Sequence, residues 1–301
     1  MIDIKKRLIE EIEKYEWDNV DDVIKSIMPN IIFSVDKNES DLSILNSRFG
    51  GAPAVPEDFV WPVQSLTNNA PLAFFFQINF EEIKPYDVAN LFPDHGILLC
   101  FASVTDDIMW EYDVKDAFKV YFFSDTENLN LAKIPEEIPL EQRLAPRDIN
   151  FKNSYQLPRY PFNYELGDDI SEDDADGIDE VADIIFDKAI MMQHRIELAK
   201  GAGLQPPTPE DDFYTFFSHN ILQGVPFSVQ HYIAEKWSDL YKKYDKKNND
   251  RENYINLISF EMRGKYGYGF SMNGAHLYLC MHQKDLANLD FKNTIAIVQN
   301  T

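Results

Sequence analysis

The chain has 301 residues and a mass of 35.0 kDa, enough for one large domain or two smaller ones. Its 51 Asp+Glu against 28 Lys+Arg give a net charge of -23, while 45% hydrophobic and 14% aromatic residues exclude a disordered chain. The charge also weighs against nucleic-acid binding, because the nearest basic cluster, Lys242, Lys243, Lys246, Lys247 and Arg251, reads as a solvated helix end.

In chain order, Ile4, Leu8 and Ile12 recur at helix spacing, with Ile9 and Tyr15 beside them. Val20, Val23, Ile24 and Ile27 form a second stripe that starts near Asn19 and is stopped by Pro29. A short strand is predicted over 31–35. From Ser47 to Pro56 the glycines and prolines forbid a regular helix or a central strand, yet the segment is apolar enough to pack as an ordered extended loop. Pro62 then closes Asp58-Phe59-Val60-Trp61. Strands follow over 72–78, 96–101 and 118–123, the first with apolar residues on both faces and therefore central. The Pro-rich stretch 135–161 reads as loop with a short strand near 151–157.

Residues 165–187 hold 11 acidic side chains, and no Lys or Arg occurs between Arg159 and Lys188. This reads as an acidic loop passing into a helix, with Ile178, Val181, Ala182, Ile185 and Ala189 at helix spacing and an end near Leu198. The segment from His219 to Gln230 reads as a turn between packed segments. Ile233, Trp237, Leu240 and Tyr244 mark the next helix, and strands are predicted over 253–260, 275–281 and 294–298. Gly96 to Phe101 echoes Gly274 to Leu279, each after an apolar strand, which suggests a duplicated strand–turn–strand unit. The expected fold class is therefore α+β: a strand-rich, internally duplicated pair of antiparallel-sheet units with N-terminal and inserted helices. The expected organisation is a single domain over 1–301, with halves 1–160 and 205–301 joined by the acidic loop and helix at 161–204.

No cluster of residues reaches the standard of an enzyme site. Gly50-Gly51 leads to no Gly-Lys-Ser/Thr, and Gly267-Tyr268-Gly269 lacks the third glycine of a dinucleotide turn. Gly269-Phe270-Ser271-Met272-Asn273 has Asn273 where a nucleophile elbow needs glycine. His276 and His282 on one strand would stand about 20 Å apart, too far to share an ion. The residues His95, Cys100 and Cys280 form no close-spaced pair, so neither a metal nor a cofactor is expected. Glu172, Asp174, Asp176, Gly177 and Asp183 fit a calcium-loop frame poorly, since its first position should be Asp and its last Glu. With two cysteines and no apolar run near the roughly 20 residues of a membrane helix, the expected setting is the cytoplasm.

Arg48, Trp61, Gln77, His219 and Gln230 are polar or amphipathic residues in apolar surroundings. Two readings stand. Arg48 and Gln77 tie the extended loop to the sheet while His219 caps a turn, or all five line one ligand-binding cleft.

Ser47-Arg48-Phe49-Gly50-Gly51-Ala52-Pro53 through Pro56, with Trp61-Pro62 after it, resembles the signature of the YwqG-like family. Phe76-Gln77-Ile78-Asn79-Phe80-Glu81-Glu82 and Pro93-Asp94-His95-Gly96 are similar to the motifs that follow it there. His219, Leu222, Gly224, Pro226 and Gln230 match the central pattern, and Gly274, Leu277, Tyr278, Asp285, Leu286, Asp290 and Phe291 match the C-terminal half. Ile258-Ser259-Phe260-Glu261 departs from the family's Gln-bearing second strand, and the acidic insertion is atypical. The resemblance covers about residues 1 to 300. It implies a bacterial, duplicated, strand-rich α+β fold whose biochemical role is not established. Some relatives lie near secreted toxins, which implies an immunity or interaction role.

The favoured function is a cytoplasmic, non-catalytic protein-binding or immunity-type module whose acidic surface meets a basic protein such as a toxin. No nucleic-acid or membrane partner is expected. The alternative is a small-ligand-binding protein or hydrolase-like enzyme with a cleft between the two halves.

Overall fold

The computed structural model describes residues 3–14, 20–36, 38–64, 69–103, 117–157, 177–178, 180–185, 188, 191, 217–218, 220–230, 232–244, 253–262 and 275–300. His219, the glycine-rich segment 263–274 and most of the acidic insertion, with its calcium-type frame, lie outside the described residues.

The chain begins with helices α1 (Ile4–Ile12) and α2 (Val20–Lys25), then strand β1 (Met28–Val35). The extended segment contributes the short strands β2 (Arg48–Phe49), β3 (Ala54–Val55), β4 (Val63–Gln64) and β5 (Ala70–Pro71). Next come β6 (Ala73–Asn79), helix α3 (Phe80–Ile83), β7 (Ile97–Ala102), β8 (Phe118–Phe123), β9 (Asn130–Leu131) and β10 (Arg147–Gln156). After the insertion come β11 (Ile221–Leu222), α4 (Ile233–Tyr244), β12 (Tyr254–Glu261), β13 (Ala275–His282), α5 (Gln283–Ala287) and β14 (Ile295–Asn300).

Three predicted elements differ. Strand β1 starts at Met28, so Pro29 lies inside it instead of marking a helix stop, which proline permits near the start of a strand. The Gly/Pro segment does supply an interior strand: β2 is paired on both sides, by β10 and by β6. It is two residues long because Gly50 and Gly51 follow at φ +67° and +73°, outside the strand region. Strand β10 runs over ten residues and starts earlier than the stretch predicted near 151–157, because no proline falls between Pro146 and Pro158 and an apolar–polar alternation fills that gap.

The fold is α+β and strand-rich, and it divides into two compact units. One combines Met1–Phe33 with Lys152–Phe227, and the other combines Ser34–Phe151 with Ser228–Thr301. In the first, β1 and β11 pair antiparallel through Ile31–Leu222 and Ile32–Ile221. Asp3 caps α1 by accepting the Lys6 N–H at 3.0 Å, and its apolar stripe does what the spacing predicts. Ile4, Leu8 and Ile12 pack with Val23, Ile27, Ile178, Val181, Ile185, Leu157 and Phe217 in one core. Asn30 Nδ2 donates to Gln156 Oε1 at 2.7 Å, and Gln156 Nε2 donates to the Val225 carbonyl at 3.1 Å.

In the second unit, β10, β2, β6, β7 and β8 pair in that order, all antiparallel. Strands β12, β13 and β14 form a second antiparallel run. All seven residues of β6 are buried. A register shift between Phe74 and Phe76 accompanies the packing of Phe75 and Phe76 against Phe49 and Phe260, with ring centroids 5.4 to 5.8 Å apart. A further aromatic cluster joins Phe80, Phe92, Phe122 and Phe291, closest at 4.7 Å between Phe122 and Phe291.

Two parts of this unit are alike in detail. Strand β6 ends on Asn79, whose side chain accepts the Glu81 N–H at 3.0 Å, then passes through α3 to the return strand β7. Strand β13 ends on His282, whose Nδ1 accepts the Lys284 N–H at 2.9 Å, then passes through α5 to β14. Ile83 and Leu286, each four residues after the cap, are both buried.

Candidate functional site

Ser47, Arg48 and Phe49 are held in place from α3 and β6. Glu82 accepts from Asn46 Nδ2 at 2.7 Å and from the Ser47 N–H at 2.8 Å, and the Ser47 hydroxyl accepts the Asn79 N–H at 2.8 Å. In register, Arg48 lies between Asp148 of β10 and Gln77 of β6. Gln77 is fully buried and bonded on both ends of its amide. Its Oε1 accepts the Ala54 N–H at 2.9 Å, and its Nε2 donates to the carbonyls of Ile44 at 3.0 Å and Asn46 at 2.9 Å. The Arg48 guanidinium is also buried and donates through Nη2 to the Ile44 carbonyl. Its Nε has no acceptor among the described residues. Burial pulls the Arg48 pKa down, and the nearby Glu82 charge partly restores it.

The pair Arg48–Gln77 therefore holds one loop, 44–54, against the sheet. Trp61 belongs elsewhere. Its indole N–H donates to the Leu72 carbonyl at 2.8 Å, and its ring stands edge-on to Phe101 at 5.2 Å. Gln230 is exposed, and its backbone N–H donates to Gln299 Oε1 at 3.1 Å beside that of Val229 at 2.7 Å. Of the five residues singled out in the sequence, the structure brings Arg48 and Gln77 together and sets Trp61 and Gln230 apart from them. His219 is not described.

Trp61 opens onto a groove of ≈ 490 Å³ that sequence reading did not find. One wall is the loop Pro56–Val63, and the other is Lys119, Tyr121 and Phe123 of β8. Phe59 stands between them, 5.2 Å from Tyr121 and 5.9 Å from Phe101. Val60 is 81% exposed and Val63 42%. Arg48, Gln77 and Gln230 are not among its lining residues. The available signal was the alternation along β8, which sends Tyr121 and Phe123 to the face opposite Phe122.

The remaining reactive groups are quiet. Burial pushes the Cys280 thiol up to about 12 and raises Cys100 as well, so both stay protonated and poorly nucleophilic near neutral pH. Cys280 donates weakly to the Tyr254 hydroxyl at 3.5 Å. His276 and His282 are buried, the latter as the cap of α5. Among the described residues, no three His, Cys, Asp or Glu side chains are grouped to hold a metal ion, and no helix is long and apolar enough to cross a membrane.

Asp148 is the carboxylate with a consequence for stability. Desolvation raises its pKa, the Ile149 N–H opposes this, and the charges of Asp36 and Glu82 raise it further. A carboxyl with a raised folded pKa disfavours folding once ionised, so the penalty is absent below the unfolded pKa and full above the folded one. Asp148→Asn is therefore expected to raise Tm at pH 7, with the gain vanishing as pH falls through the carboxylate range. Thermal melts of both proteins from pH 3 to 7 check this, and an equal gain at both ends would contradict it.

A family model described as a domain of unknown function (DUF1963) matches residues 47–299. The match starts at Ser47, the first residue of the glycine–proline motif, and leaves α1, α2 and β1 outside it. No curated protein matches the chain.

Proposed function

The chain belongs to the DUF1963 family of domains of unknown function, and from that premise we propose that it is a non-catalytic protein-binding module of the immunity type, with an acidic surface for a basic protein such as a toxin. The carrying observation is the groove beside Trp61, where Val60 and Val63 stay exposed against half-buried aromatic rings in a chain of net charge -23. The polar pair that could have served a ligand, Arg48 and Gln77, is instead bonded to backbone. The finer assignment, a YwqG-like protein of bacterial cytoplasm, rests on the Ser47–Pro56 and Trp61–Pro62 motifs. The proposal keeps the chain as a single domain of duplicated halves, 1–160 and 205–301. The likeness of β6–α3–β7 to β13–α5–β14 supports a duplication, though in a phase that matches β7 to β14 and not to β13, as the echo of Gly96–Phe101 in Gly274–Leu279 would have it.

The small-ligand or hydrolase-like reading has one observation in its favour, the buried Arg48 Nε without an acceptor among the described residues. One experiment separates the two. Proteins and small molecules retained by the intact chain at low and moderate salt are identified by mass spectrometry, and each protein found is purified and its affinity measured. The expected result is a basic protein bound in stoichiometric amount, weaker at higher salt. Val60→Lys sets a like charge against the basic partner and should weaken that complex at least about tenfold while leaving stability within about 0.5 kcal/mol. A retained small molecule with no protein partner would favour the ligand reading instead.

A further inference from the structure

We propose that the groove beside Trp61 takes an arginine from an extended segment of the partner protein, with the aromatic faces against the guanidinium and Glu57 and Asp58 as its counter-ions. This rests on the binding-module reading and specifies its recognition chemistry.

Three features point to a cation. First, the Trp61 indole N–H is already bonded to Leu72, which leaves the ring system and not its polar edge to meet a ligand in the groove it lines. Phe59 and Tyr121 add further rings to the same groove, and ring faces attract cations, guanidinium most readily because it is planar and weakly hydrated. Second, Asp58 lines the groove and Glu57 precedes it in the chain, just outside the lining; both are exposed, and neither has a hydrogen-bond or ion-pair partner among the described residues. Lys119, the cation among the lining residues, already has an interaction of its own. Third, Pro56 and Pro62 in that wall have no N–H to donate, so recognition falls to side chains and not to strand addition. Exposed Val60 and Val63 then meet the aliphatic stem of the arginine and its neighbours.

The test uses the intact chain and two blocked pentapeptides, Gly-Pro-Arg-Pro-Gly and the same peptide with citrulline, which keeps the shape of arginine and removes its charge. Binding is followed by two-dimensional NMR at low salt. The arginine peptide is expected to bind about five- to thirtyfold more tightly than its citrulline counterpart. The double variant Glu57→Gln, Asp58→Asn removes the counter-ions and leaves the rings, so it should lower that ratio at least about threefold without changing Tm. Equal binding of the two peptides, no detectable binding of the arginine peptide, or a ratio unchanged in the double variant would each overturn the proposal. The purified partner protein separates this failure from that of the wider reading. If the double variant holds the partner as tightly as the unmodified chain does, while Val60→Lys releases it, arginine recognition is wrong and the binding module stands.

Discussion

Gln77→Leu is expected to destabilise the chain by about 2–4 kcal/mol, because it leaves a buried N–H and a part-buried carbonyl without partners and removes one of two donors from a third group. The three groups are the Ala54 N–H, the Asn46 carbonyl and the Ile44 carbonyl, the last of which keeps Arg48. Leucine supplies similar volume, so the loss isolates hydrogen bonding from packing. A loss of that size is a large share of the net stability of a typical domain. Chemical denaturation with matched m-values checks it. The direction discriminates between the two readings of this residue. A glutamine kept for a ligand in an open cleft would tolerate leucine or gain stability from it. A change within about 0.5 kcal/mol would show that Gln77 does not hold the loop.

Gly50→Ala should be similarly damaging, at about 2–5 kcal/mol from left-handed backbone strain and overpacking together. Gly50 sits at φ +67°, and a Cβ there would lie 2.5 Å from the Ala145 carbonyl oxygen and 2.6 Å from that of Leu144. Both obstacles are backbone, so no side-chain rotation relieves them. The position is also clamped, since the Gly50 N–H donates to the Phe75 carbonyl at 2.8 Å and the Gly51 N–H to the Leu144 carbonyl at 2.8 Å. Gly51→Ala is expected to be milder. Its φ is +73°, but the nearest atom to a new Cβ is the Pro146 side chain at 3.0 Å. Comparing the denaturation midpoints of the two variants tests the ordering, and a larger loss at Gly51 would contradict the clamp.

These two residues also mark how far the sequence could be read. The strands around β6 and β7, the stripe of α1 and the packing role of the Ser47–Pro56 segment were legible because each depends on a local pattern of period, glycine or proline. The tie between Arg48 and Gln77 was legible as one of two alternatives, since a buried amide must find partners and a loop rich in turns has free backbone groups to offer. What the pattern does not contain is which partners it finds. Nothing local distinguishes Gln77, bonded to three loop positions, from Gln230, which is exposed and bonded through its backbone. The groove was hidden for the same reason. Val60 stands between Phe59 and Trp61, and nothing in that short run marks it as exposed, yet it lies 81% exposed beside a Trp61 whose N–H is tied to Leu72. Strand β2 escaped because a two-residue strand between Asp148 and Gln77 is created by its neighbours and not by its own propensity.

The central claim is that the Arg48–Gln77 pair holds the fold while the groove beside Trp61 meets the partner. Hydrogen exchange of the intact chain, with and without the purified partner, tests it most directly. The account predicts new protection over 56–63 and 118–123, with 44–49 and 73–79 already slow to exchange and unchanged by binding. Protection centred on 44–49, with 56–63 and 118–123 unaffected, would contradict it.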